Sequence, residues 1–172
     1  MTQSTEIELA IMEQFKFHRN LIVPGVTPFA GGDLPVQFET DMIVLTKAGY
    51  AHGFEIKISK SDLHADLKKY QYKKLAHGLD FGLKACYNGY KHFSYAVPGK
   101  LVVECLEKLP SCFGIYRYDL RRGRGYEGGI RTLSEVRKPT VLFDRKWNER
   151  ERYNLARLGA MRIYNLKVKT IR

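Results

Sequence analysis

The sequence lacks any run of 18 or more apolar residues, so it offers no candidate for a membrane-spanning helix. Its first ten residues, MTQSTEIELA, also lack the basic and then apolar pattern of a signal peptide. The three cysteines, Cys86, Cys105 and Cys112, form no CxxC pair, which favours reduced thiols used in packing over a disulfide framework. We therefore expect a soluble, cytoplasmic protein that makes no contact with a membrane.

The histidines lack the spacing of metal ligands. None of the five forms an HxxxH or HxH pair, so we do not expect a zinc site. What the chain does have is 44% hydrophobic residues over a length of 172, enough for one domain with a substantial core. We see no internal repeat and no second domain boundary.

The positive charge is concentrated in the last third of the chain. Residues 1–116 contain 13 Lys or Arg against 12 Asp or Glu, whereas residues 117–172 contain 16 against 6. Such asymmetry is typical of proteins with a polyanionic partner. Nucleic acid is the first candidate and an anionic membrane surface the second.

The order of predicted elements mixes helices and strands. Residues 5–15 have helical spacing, with Glu8 in the middle of an otherwise apolar arc. A short strand follows that Pro24 should push to a sheet edge or a bulge, and then a hairpin whose second strand is YAHGFEIKIS. Ser59 begins a capped helix that we expect to run to about His77. Further predicted elements are a strand at HFSYAVP, a short helix, a strand at CFGIYRY, a loop over 121–129 and a last helix over 148–159 that ends at Gly159.

The strand YAHGFEIKIS contains an acid and a base two positions apart. Side chains alternate along a strand, so Glu55 and Lys57 point to one face, which we expect to be unburied, and the apolar residues to the other. Asp41 begins the preceding strand, and a hairpin of this length returns to the same sheet end. Two carboxylates suit Mg²⁺, and a nearby ammonium suits phosphodiester hydrolysis. The alternative reading is an ordinary surface ion pair.

These residues resemble the D…(D/E)xK pattern of the PD-(D/E)XK nuclease superfamily. The stretches EIKISKSDLHAD, FSYAVP and LARLGAMRIYNLK are similar to MmcB-like DNA repair proteins and their phage relatives, over roughly residues 5–165. Thr40 stands where that pattern often has proline, and Gly53 where close relatives often have an acid. Asp62, Asp66 and Lys69 also match positions typical of the MmcB-like group, without a role that the sequence reveals.

The resemblance implies a restriction-endonuclease-like fold, a mixed β-sheet core flanked by helices. The core would span residues 1–120, and residues 121–172 would form a basic extension packed on the same domain. Asp41 and Glu55 would bind Mg²⁺ or Mn²⁺, Lys57 would be the catalytic lysine, and Glu8 an additional catalytic acid. Predicted DNA contacts are Arg121, Arg122, Arg124, Lys69 and Lys73.

Two main hypotheses of function follow. The first is a metal-dependent DNA nuclease in repair, recombination or phage DNA processing. It would contact the DNA backbone with little sequence preference, and a homodimer is one option for its assembly. The second is a catalytically inactive DNA-binding protein that keeps the nuclease fold. A third, an RNA-binding or membrane-surface protein, has no feature that demands it. The basic stretch RRGRGYEGG could also be only a solvated loop, since runs of charge often are.

Overall fold

The computed structural model describes residues 2–28, 34–68, 87–121 and 130–171. These residues form a mixed α/β architecture in which one six-stranded sheet lies between helices. The helices are α1 (Gln3–Gln14), α2 (Lys60–Leu67), α3 (Val102–Lys108) and α4 (Glu149–Ile171). The strands are β1 (Leu21–Val26), β2 (Thr40–Leu45), β3 (Ala51–Ile56), β4 (His92–Pro98), β5 (Gly114–Arg121) and β6 (Ile130–Arg137).

The strands lie in the sheet in chain order, from β1 to β6. β1, β2 and β3 are antiparallel neighbours, β3, β4 and β5 are parallel, and β6 returns antiparallel to β5. The predicted hairpin between β2 and β3 is confirmed. So is the edge position of Pro24, which has no N–H to give to a further strand.

Two hydrophobic clusters cover the two faces of the sheet. α1 packs on one face, where Ile7 and Ile11 meet Phe54 and Tyr116. On the other face, Leu63 of α2 and Leu155 of α4 belong to a larger cluster with side chains of the central strands. Because each face has its own cover, the central strands are apolar on both sides.

This double cover overturns the expectation that β3 buries only one face. All six residues from Ala51 to Ile56 are buried, and Glu55 and Lys57 are only 3% and 5% exposed. The alternation of polar and apolar residues along one strand does not reveal which other elements pack on its polar face. Here α2 lies over Glu55 and Lys57 and β4 lies beside them in the sheet, so the ion pair is internal.

At the start of α2 and of α4, capping side chains accept hydrogen bonds from backbone N–H groups of the first turn. Ser59 Oγ accepts the Asp62 N–H at 3.2 Å, which confirms the predicted start of α2. Asn148 and Glu151 form a reciprocal box at the start of α4, with backbone N–H to side-chain oxygen distances of 2.8 and 2.9 Å. Trp147, just before this box, donates its indole N–H to the Gly89 carbonyl at 2.6 Å and anchors α4 to the core.

The predicted end of the last helix at Gly159 is wrong, because α4 continues to Ile171. Gly159 serves close packing instead, since a Cβ at this position would lie 3.2 Å from Val23 Cγ2 on β1. The strand β6 was not anticipated at all. The expected continuation of α2 to His77, the loop over 122–129 and the packing of Cys86 lie outside the described residues. Within the described ranges, no helix is both long and apolar enough for a transmembrane segment.

Candidate active site

The hairpin brings Asp41 and Glu55 side by side. Its register pairs Met42 with Phe54, so the residues one step further, Asp41 and Glu55, are cross-strand neighbours on one sheet face. Asp41 Oδ2 accepts the backbone N–H of Ile56 at 2.7 Å, which fixes this carboxylate against β3. Among the described residues no hydrogen bond or ion pair involves Oδ1, so this oxygen is available to a cation.

Lys57 lies within the same buried cluster. Its Nζ donates to Glu55 Oε2 at 2.7 Å and lies 3.6 Å from Asp66 Oδ1. Burial alone would lower the pKa of Lys57, but the negative charges of Glu55, Asp66 and Asp41 raise it overall. The ammonium is therefore held in its charged form.

The carboxylates of the site repel one another. Burial raises the pKa of Glu55 to about 8, and the neighbouring Asp41 adds to the rise while Lys57 opposes it. Counted as ionised groups, three acids, Asp41, Glu55 and Asp66, share Lys57 as their one cation among the residues that the structure describes. An excess of buried negative charge favours a further cation at this place.

Glu8 approaches the site from α1, on the opposite face of the sheet. Burial raises the pKa of its carboxyl group, and the charge of Asp41 raises it further. Glu8 also lines an open cleft of about 540 Å³ together with Pro24 and Gly25 of the edge strand. Asp41, Glu55 and Lys57 thus come together in one buried cluster, and Glu8, on the other face of the sheet, is linked to it through the electrostatic effect of Asp41.

Asp66 is a site residue whose role the sequence did not reveal. It lies in α2 with 1% exposure, and its Oδ2 accepts the Tyr95 hydroxyl at 2.8 Å. Tyr95 is in turn the cross-strand partner of Glu55 on β4. Asp66 therefore links α2, β4 and Lys57, and we regard it as the residue that positions Lys57. Its match to the MmcB-like pattern was the only signal for it in the sequence.

Packing explains the glycine at position 53. A Cβ there would lie 2.6 Å from a ring carbon of Phe93 and 2.8 Å from one of Tyr90, closer than real Cβ atoms come. No acid can occupy this position in the present core. Thr40, where proline is common in the pattern, is buried and shares a 2.6 Å hydrogen bond with the hydroxyl of Tyr90. Both departures thus belong to the aromatic packing beneath the site.

Arg162 is a second residue that sequence reasoning missed, because α4 was expected to end before it. Gly25 lies opposite Asp41 in the register of β1 and β2, with φ of +59°, a conformation that suits glycine. The Arg162 guanidinium donates to the Gly25 carbonyl and covers this residue, at 3.2 Å from where a Cβ would be. It adds a positive charge to the cleft that Glu8 lines.

Of the five predicted DNA contacts, one lies in the part of the chain that the structure describes. Arg121 is the last residue of β5. Lys69, Lys73, Arg122 and Arg124 lie outside the described residues.

The donor set fits a hard divalent cation. Within the described ranges no three or more His, Cys, Asp or Glu side chains already form a metal-binding group. Mg²⁺ does not need such a group, because it binds through one or two carboxylates and keeps several waters. Asp41 and Glu55 could supply these two carboxylates, and their mutual repulsion would be relieved by the ion.

Comparisons with known proteins add the fold and nothing more specific. No family model matches the chain, and no curated protein matches it. A solved structure, the SPO1766 protein of unknown function from Silicibacter pomeroyi, is similar with a TM-score of 0.57 and 16% sequence identity. The match covers 96% of this chain and 88% of that chain. At this identity the likeness concerns the arrangement of helices and strands alone.

Proposed function

We propose that this protein is a Mg²⁺- or Mn²⁺-dependent deoxyribonuclease that hydrolyses phosphodiester bonds. The observation that supports this most is the buried cluster in which Asp41 and Glu55 lie side by side with the Lys57 ammonium 2.7 Å from Glu55. An ordinary surface ion pair has neither such burial nor additional carboxylates around it, so it does not account for this cluster. The resemblance to PD-(D/E)XK nucleases assigns the same residues to catalysis.

Each residue has a task that its surroundings suit. Asp41 and Glu55 would hold the ion, which when bound neutralises charge on the scissile phosphate and acidifies water. Lys57, kept charged by its acidic neighbours, would orient the attacking water and stabilise the negative charge that develops on the phosphate. Asp66 keeps the Lys57 side chain in place. Glu8, half-buried and within the electrostatic influence of Asp41, would serve as an additional acid that exchanges a proton at the cleft.

The test is cleavage of single-stranded, duplex and branched DNA with Mg²⁺ or Mn²⁺. We expect activity that EDTA abolishes and that Asp41→Asn and Lys57→Ala each lower by roughly 10²–10⁴-fold. Lys60→Ala is the matched control, because this lysine is three residues away in sequence but its side chain is 69% exposed. Circular dichroism would show that the variants keep their fold.

One result would contradict the proposal. If no DNA form is cleaved and wild type and Lys57→Ala behave identically, the protein is not a nuclease of this kind. DNA binding that neither EDTA nor Glu55→Ala changes would then favour the second hypothesis, an inactive nuclease fold that binds DNA as an accessory protein.

A further inference from the structure

The first and second halves of α4 differ in burial and in charge. Leu155 and Leu158 are buried against the sheet, whereas Met161, Ile163 and Tyr164 are exposed. The helix has six Lys or Arg, and its only acids, Glu149 and Glu151, lie in the first turn. From residue 152 to 171 it therefore shows exposed apolar side chains with positive charges and no negative charge.

Two exposed tyrosines share one side of this helix. Tyr153 and Tyr164 are 67% and 68% exposed. Eleven residues separate them, which is close to three turns, so they lie on the same side about 16 Å apart. Arg157 and Met161 lie between them at helical spacing and are also exposed. The series Tyr153, Arg157, Met161 and Tyr164 is called the tyrosine stripe below.

The same helix reaches the candidate active site. Arg162, Asn165 and Lys169 of α4 line the cleft that Glu8 also lines. Arg162 is held there by its hydrogen bond to the Gly25 carbonyl, next to Asp41. These three cleft-lining side chains of α4 lie about 100–160° around the helix axis from Tyr164, on the side of α4 that also carries the buried Leu155 and Leu158, so the cleft and the tyrosine stripe occupy different sides of the helix.

We propose that the tyrosine stripe binds single-stranded DNA. This inference rests on the proposed function and specifies its substrate. Exposed aromatic rings on a helix that is positively charged from residue 152 onward suit a single strand, whose unpaired bases can stack on the tyrosines while its phosphates are attracted by the positive charge. A duplex keeps its bases stacked on one another and offers the tyrosines no such contact. A second copy of the helix brings only positive charge from residue 152 onward, so it is not electrostatically complementary.

The experiment measures the binding of fluorescein-labelled oligothymidine to the full-length protein in EDTA, by fluorescence anisotropy. We expect Tyr153→Ala and Tyr164→Ala each to weaken binding about tenfold, the size of one lost base stack. Tyr164→Phe should bind within about twofold of wild type, because stacking needs the ring and not the hydroxyl. Ile163→Ala is the matched control, since Ile163 is 59% exposed on the same helix but lies about 100° from Tyr164 around its axis. It should leave binding unchanged.

Several results would overturn the inference. Equal affinity for duplex and single strand, or tyrosine variants that bind like wild type, would exclude base stacking on α4. A wild-type dimer that Tyr164→Ala dissociates, without any oligothymidine binding, would assign the stripe to a second copy instead. Because EDTA separates binding from cleavage, binding through the tyrosines with no cleavage under any condition would remove only the nuclease proposal. Cleavage of a single strand with unchanged KM in both tyrosine variants would remove only this one.

Discussion

Two clusters of lysines and acids each include side chains of α2, and they differ in burial and in the balance of charge. In the buried cluster, Glu55 has one cation, Lys57, and faces the carboxylates of Asp41 and Asp66. In the surface cluster, Glu104 lies 3.1 Å from Lys60 and 3.2 Å from Lys108, and it also pairs with His64. The buried cluster has an excess of acids, and the surface cluster an excess of cations.

The pKa values follow this difference. Burial and Asp41 raise the pKa of Glu55 to about 8, whereas hydrogen bonds from Lys60, His64 and Lys108 lower that of Glu104 to about 2. A glutamate at a structural ion pair gains from ionisation, as Glu104 does. Glu55 is held where its ionised form is unfavourable without a further cation, and such groups concentrate at functional sites. The following experiments change one cluster and use the other as its control.

The largest contrast is expected in catalysis. Glu55→Gln keeps the size of the side chain but removes the charge that would hold the metal, so cleavage should fall by roughly 10²–10⁴-fold. Glu104→Gln should leave the rate within about twofold, because this side chain belongs to the surface cluster. Initial rates on the preferred DNA form, with Mg²⁺ in excess, measure both. Equal losses in the two variants would show that the buried cluster has no special role.

The pH dependence of stability should have opposite signs in the two clusters. Because the pKa of Glu55 is about 8 in the folded protein and near 4.5 without its surroundings, the folded state keeps a proton that the unfolded state releases. The stability of wild type therefore falls as pH rises from about 4.5 to 8, and Glu55→Gln removes this slope. We expect the variant to gain on the order of 1–3 kcal/mol over wild type between these two pH values.

Glu104 provides the inverse control for that measurement. Its pKa of about 2 lies below the ordinary value of 4.5, so its contribution is present above pH 4.5 and is lost as pH falls toward 2. Glu104→Gln should lose stability relative to wild type at neutral pH and match it at low pH. Urea unfolding over pH 2–8 gives both curves, and parallel curves for Glu55→Gln and wild type would contradict the assignment of Glu55.

A divalent ion should stabilise the buried cluster and leave the surface cluster unaffected. At a Mn²⁺ concentration ten times its Kd, wild type should gain about 1.4 kcal/mol. For a chain of this length that corresponds to a rise of about 4 °C in Tm. Asp41→Asn, which retains an oxygen for the Ile56 N–H, should lose the rise, whereas Glu104→Gln should keep it. An equal rise in wild type and Asp41→Asn would mean that Mn²⁺ binds elsewhere.

What the sequence predicted depends on how local the signal was. The hairpin, the Ser59 cap and the approach of Asp41 to Glu55 follow from strand alternation and turn positions within some 20 residues, and the structure agrees. The burial of Glu55 and Lys57 depends on α2 and β4, which no pattern within β3 describes. Gly159 was misread because glycine has two uses, to end a helix or to let it approach a strand. β6 was not predicted because its eight residues are mostly polar or exposed and show no alternation of apolar and polar side chains.

The smallest effect is expected from Lys60, and it tests whether the two lysines of this segment are truly different. The side chain of Lys60 is 69% exposed, and its partner Glu104 keeps two other cationic neighbours when it is removed. Exposed ion pairs contribute little because water and salt screen them, so Lys60→Ala should change the free energy of unfolding by less than about 0.5 kcal/mol. The measurement is urea unfolding at pH 7 in low and in 0.5 M salt. A loss above about 1 kcal/mol that persists in high salt would show that the surface cluster is as tightly coupled as the buried one, and the contrast between Glu55 and Glu104 would then lose its meaning as a sign of function.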